Sequence, residues 1–233
     1  MVQSFFKALK QLSDPRLKNV LLTAVLGALA LEIALWSALW WVLSLLRLFE
    51  WDWLDASLDV GLLLAVMVAS LWFFPVLATV IVGFFLERVA GAVEESHYPG
   101  LPPARQVGIL ESLATSLKFV AASLGLNLLA LPLYFVPLLN LGVFLLLNGY
   151  LLGREYFELV GSRRLEPGLL AELRIGHRGR LLLVGMTGAG LMALPLVNLA
   201  VPVFLTAWMV HVAQSLTTSK TGSQSLPGRE KPL

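Results

Sequence analysis

A turn between two apolar runs that carries no charge constrains this chain more than any other feature. Residues 128–160 read LLALPLYFVPLLNLGVFLLLNGYLLGREYFELV. They predict an apolar helix, a Pro-Leu-Leu-Asn-Leu corner at 137–141 holding Pro137 and Asn140, a second apolar helix, and a charged exit at Arg154, Glu155 and Glu158. The figure returns at 190–214, GLMALPLVNLAVPVFLTAWMVHVAQ, with Pro195 and Asn198 in the matching corner. Two such hairpins form an internal repeat. A turn that reaches water collects polar residues, because its backbone must be hydrated. Uncharged corners therefore predict hairpins that enter a membrane and reverse in or near it.

Composition agrees. Only 14% of the 233 residues are charged and 58% are hydrophobic, with mean hydropathy +0.80. Soluble domains are about one-quarter charged, so an integral membrane protein of a single domain is expected. Net charge is +2, too mild for a nucleic-acid partner. There is no cysteine, hence no thiolate chemistry and no disulfide.

Along the chain, residues 1–18 predict an interfacial helix, with Phe5, Phe6, Leu9 and Leu12 opposite Lys7 and Lys10. Ser13-Asp14-Pro15 is a helix-start signal. Residues 19–86 predict two long transmembrane helices: 20–46 and 60–86 are nearly continuous apolar runs, each longer than the ~20 residues a span needs. The connection at 47–59 is acidic, whereas Lys7, Lys10, Arg16 and Lys18 precede the first run. Basic residues favour the cytoplasmic side, which places both termini inside. Residues 87–118 predict an amphipathic cytoplasmic segment, 119–160 the first hairpin, 161–180 a basic loop, 181–216 the second hairpin, and 217–233 a disordered tail. The arm at 181–194 is too short to cross. Re-entrant hairpins are the expectation; an ordinary pair of spans with a very short external turn is the alternative.

Several side chains stand out as site candidates. Glu32 is an ionisable group in the middle of a span, where insertion of a charge costs ~3 kcal/mol, so it should face the bundle interior or a wet path. Its role is a pore or proton-linked carboxyl, or a paired structural group. Arg88, Arg154 and Glu155 sit at helix ends, either as a charged ring at a conduction entrance or as an interface collar. The corner asparagines bond their own turn or contact a ligand. His97, His177 and His211 have no metal-ligand spacing. No nucleophile-base set, phosphate loop or zinc pattern appears, so neither an enzyme nor a cofactor is expected.

Three separated runs, FFLERVAGAVEESHYPGLPP, PLLNLGVFLLLNGYLLGREYFELV and MALPLVNLAVPVFLTAWMV, resemble the CysZ/etoposide-induced-protein family, the middle run an alphaproteobacterial branch of it. The resemblance covers residues 5–216. It implies an all-α inner-membrane protein with two long transmembrane helices and shorter, partly penetrating hairpins. It also implies a homo-oligomer, with no nucleotide or metal, that passes sulfate or a similar oxyanion as an ATP-independent permease or channel. The family's eukaryotic branch implies the alternative, a non-transporting membrane scaffold.

In similar permeases a Pro-Gly-Ile/Leu-Arg-Arg run at the start of the first long helix binds the anion. The matching residues here are Pro15, Arg16, Leu17, Lys18 and Asn19. Arg16, Lys18 and Asn19 are thus the anion-site candidates implied by the resemblance. Free amides and cations still suit an anion at a helix start. Lysine lacks the planar guanidinium fork, however, and Asn19 adds no charge.

Overall fold

The structure, a computed structural model, describes residues 2–46, 52–105, 108–194 and 197–224. Every regular element among those residues is helical, as the sequence predicts. In chain order the elements are α1 (Val2–Gln11), α2 (Pro15–Leu46), α3 (Asp52–Gly83), α4 (Leu86–His97), α5 (Ile109–Tyr134), α6 (Pro137–Gly161), α7 (Pro167–Gly176), α8 (Arg178–Met192) and α9 (Val201–Gln224). A short 3-10 helix, Val197–Leu199, joins α8 to α9.

The start of α2 forms as its local chemistry dictates: the Asp14 carboxylate accepts the Arg16 backbone N–H at 2.8 Å, and Pro15 opens the first turn. Ala24, Ala28 and Glu32, spaced four apart, turn one face of α2 inward, and Ala78 and Val82 of α3 are buried with them. Most other large side chains of this pair are exposed, Trp72 and Val80 among them. Such an apolar exterior fits lipid. Three helical stretches are long and apolar enough to cross a membrane: Pro15–Val42, Leu64–Gly83 and Leu113–Tyr134. The third lies in α5, so the first arm of hairpin 1 also has the length of a span. By contrast α8 has 15 residues, about 22 Å, which falls short of a ~30 Å hydrocarbon core.

The core is α9. Its residues 201–213 are buried without interruption, the pattern of a helix enclosed by protein rather than lying on a surface. Around it pack α1, α4, α6 and α8. The closest pair is α6 with α8, and glycine makes it possible. A Cβ on Gly185 would lie 2.6 Å from the Gly153 nitrogen and collide with the Gly149 carbonyl, so the backbones touch where side chains would stand.

Four expected boundaries shift. The first corner is Phe135–Val136, and Pro137 and Asn140 belong to the first turn of α6, the Asn140 N–H donating to the Val136 carbonyl at 3.0 Å. Proline has no N–H to lose at a helix start, so it begins the helix rather than forming the turn. The second corner differs in form: Asn198 sits in the 3-10 helix, its N–H donating to the Leu194 carbonyl at 3.1 Å, while Pro195 lies outside the described residues. The basic stretch 161–180 folds into α7 and the start of α8. Finally, α9 continues to Gln224, past the expected tail boundary at 217, with the Thr217 and Thr218 hydroxyls donating to carbonyls one turn back.

Candidate functional site

Because α5 and α6 run antiparallel, the last two turns of α6 return to the beginning of α5. Arg154 and Glu158, at i and i+4, project from one face, and Glu155 lies three residues before Glu158. With Thr115, Lys118 and Phe119 of α5, Leu170 and Arg174 of α7, and Glu87 of α4 they enclose a cavity of about 470 Å³. Lys118, Arg154 and Arg174 line it together with Glu87, Glu155 and Glu158.

Its charges are organised rather than scattered. Glu158 Oε1 accepts from Arg154 Nε at 3.0 Å and from Arg174 Nη1 at 3.2 Å. The Arg154 guanidinium also lies 6.0 Å from the Phe119 ring centroid, within cation–π reach. Burial, and then the neighbouring Glu158 charge, push the Glu155 carboxyl up from its ordinary value. The cavity therefore presents cations that are partly engaged and a carboxyl that resists ionisation. Such a lining can hold a small anion where its cations converge, with apolar walls at Phe119, Leu159 and Leu170.

Two further polar clusters surround α4. Glu94 is buried and accepts from Arg163 Nη2 at 3.1 Å and Arg164 Nη2 at 2.6 Å. Arg164 also donates to the Pro102 carbonyl, and the Arg105 N–H to the Arg163 carbonyl. This clasp ties the turn after α6 to α4 and to the proline-rich strap that follows it. In the second cluster, His211 of α9 is bonded at both ring nitrogens: Nε2 donates to Gln11 Oε1 at 3.0 Å, and Nδ1 meets the Tyr98 hydroxyl at 2.8 Å. Gln11 Nε2 in turn meets His97 Nδ1 at 2.8 Å. These side chains join α1, α4 and α9.

Arg154 and Glu155, singled out in the sequence, are brought together. Arg88 is not with them: it is exposed and stacks over Phe85 at 5.1 Å, while its neighbour Glu87 reaches the cavity. Glu32 is buried on the α2 face toward α3, with Trp36 Nε1 3.5 Å away, too long for a strong hydrogen bond. At the start of α2, Arg16, Lys18 and Asn19 are exposed. Arg16 pairs with Glu95 at 2.9 Å, and the Arg16 and Lys18 amides donate to Asp14, so this helix start is already engaged by the chain's own acceptors. Lys118 and Arg174 were not legible as partners of Arg154, since only tertiary folding brings them there. The four-residue spacing of Arg154 and Glu158 was the one local signal.

A family model described as sulfate transporter CysZ/etoposide-induced protein 2.4 matches residues 4–202. No curated protein matches the chain.

Proposed function

The chain belongs to the sulfate transporter CysZ/etoposide-induced protein 2.4 family, and from that premise we propose that it is an ATP-independent permease for sulfate or a similar oxyanion in a bacterial inner membrane. The observation that carries this reading is the convergence of Lys118, Arg154 and Arg174 on one cavity where the first hairpin meets α7. Guanidinium and ammonium donors in a partly apolar pocket are what a tetrahedral oxyanion needs in exchange for its water. Both termini and this cavity face the cytoplasm in our reading, since the basic residues of α1, α7 and the start of α8 lie on that side. Arg16 and Lys18, with Asn19, collect the anion at the mouth, Arg88 lies at the rim, and Glu32 lines the path between α2 and α3. The protein acts as a homo-oligomer within lipid. The second hairpin penetrates only partly, which the length of α8 supports, whereas α5 of the first is long enough to span.

One observation favours a second reading, a non-transporting scaffold: Asp14 and Glu95 engage the helix start that would otherwise receive an anion. Radiolabelled sulfate uptake into liposomes holding the purified protein separates the two. The permease reading expects saturable uptake, reduced at least about tenfold in Arg154→Ala, a factor that one lost charge-assisted bond accounts for. Arg16→Ala/Lys18→Ala should weaken the half-saturation concentration. No uptake above empty liposomes by folded protein would leave the scaffold.

A further inference from the structure

Glu158 holds the two arginines of the cavity in an unusual way. Arg154 comes from its own helix and Arg174 from α7, yet both donate to one oxygen, Oε1. Two guanidinium groups aimed at a single anionic oxygen reproduce the surroundings of one oxygen of a bound oxyanion. The carboxylate that fills this position belongs to the protein. Burial argues against a merely solvated pair: side-chain exposure is 15% for Arg154, 15% for Glu158 and 29% for Arg174.

Resting on the permease reading above, we propose that Glu158 is a resident stand-in for the substrate: it occupies the oxyanion subsite between Arg154 and Arg174 and yields it to an incoming divalent oxyanion. Charge explains why the exchange can run. One carboxylate against two guanidinium groups leaves a net positive charge, whereas a dianion neutralises both. Lys118, exposed on the α5 wall of the same cavity, adds a third cation toward the incoming anion. Phe119 keeps the Arg154 guanidinium at the wall by its ring face when the carboxylate leaves. Glu155 is exposed, and it is the Glu158 carboxylate that accepts from both arginines, so Glu158 is the stand-in. Occupation by Glu158 also spares the empty site two unpaired, half-buried cations, which would be costly. The carboxylate thus lowers affinity and keeps the cavity closed to weaker, monovalent anions.

A purely structural ion pair makes the opposite prediction, so binding decides between them. Equilibrium binding of radiolabelled sulfate to purified full-length protein is measured for wild type, Glu158→Gln and Glu158→Gln/Arg174→Gln. The stand-in expects Glu158→Gln to bind sulfate about tenfold more tightly, roughly one charge-assisted bond released, and the double variant to lose that gain. Glu158→Asp, which withdraws the carboxylate by one methylene, should tighten binding about threefold and serves if the glutamine variant does not fold. Equal or weaker binding by the folded Glu158 variants overturns the proposal. Tight binding by Glu158→Gln with no liposome uptake by wild type would support the stand-in while removing the permease reading.

Discussion

At the scale of single residues, Glu155 shows how the cavity stores a cost. Burial and Glu158 raise its carboxyl above the ordinary value, so ionising it in the folded protein is harder than in the unfolded chain. A carboxyl raised in this sense leaves stability intact at low pH and removes it as pH rises from the unfolded value through the folded one. Glu155→Gln should therefore have a higher Tm than wild type at pH 8, and the two should converge below about pH 4.5, where both chains carry a neutral group. A thermal melt of the purified protein across that range checks it; parallel curves would contradict it. The same residue marks the limit of sequence reading. Arg154, Glu155 and Glu158 were legible because four-residue spacing is local. Lys118 and Arg174 lie on other helices, and no periodicity links them to Arg154.

At the scale of elements, helix starts were legible and helix environments were not. Asp14 and Pro15 encode the beginning of α2 through one side-chain oxygen and one missing N–H, both local facts. An apolar helix buried in protein and one facing lipid have similar sequences, so the central place of α9 did not follow from its composition. The expected surface role of α1 also changes: Phe5 packs against Phe204 and Trp208 of α9, while Phe6 and Leu9 face outward. The Gln11–His97–His211–Tyr98 cluster fixes this docking. Burial, then His97 and Lys7, lower the His211 imidazole to about 4. A histidine lowered in the fold is neutral there while its unfolded counterpart protonates, so stability is lost as pH falls from about 6.5 toward 4, by up to about 3 kcal/mol. Proteolysis between α1 and α2 should accelerate over that window, and His211→Ala should be cut faster already at pH 7.5. A cleavage rate independent of both would contradict the latch. The α6–α8 contact gives a sharper mutational test. Gly185→Ala forces a methyl into the opposite backbone and should destabilise by at least about 1–3 kcal/mol. Gly125→Ala on α5, where nothing lies within 4 Å of the added Cβ, should be neutral or gain up to about 1 kcal/mol from helix propensity. Thermal melts of the two variants should move apart.

At the scale of the whole molecule, the charged cavity opens at the start of the apolar stretch of α5, where Thr115, Lys118 and Phe119 line it. Spans from α2, α3 and α5 offer apolar exteriors, while Glu94 with its two arginines ties α4 to the turn after α6, and the histidine cluster joins α1, α4 and α9. Both corners lie at the opposite end of the hairpins, uncharged, as the sequence requires. The central claim is that the cavity is wet and takes the anion. The chain has no cysteine, so a thiol placed by Thr115→Cys on the cavity wall reports it alone. The measurement is the rate at which a membrane-impermeant thiol reagent labels this variant in oriented vesicles, with and without sulfate, against Gly125→Cys on the outer face of α5. The account expects Thr115→Cys to be labelled from one side only, sulfate to slow that labelling in a saturable way, and Gly125→Cys to remain unlabelled. A Thr115→Cys thiol that stays silent, or reacts equally fast at every sulfate concentration, would contradict it.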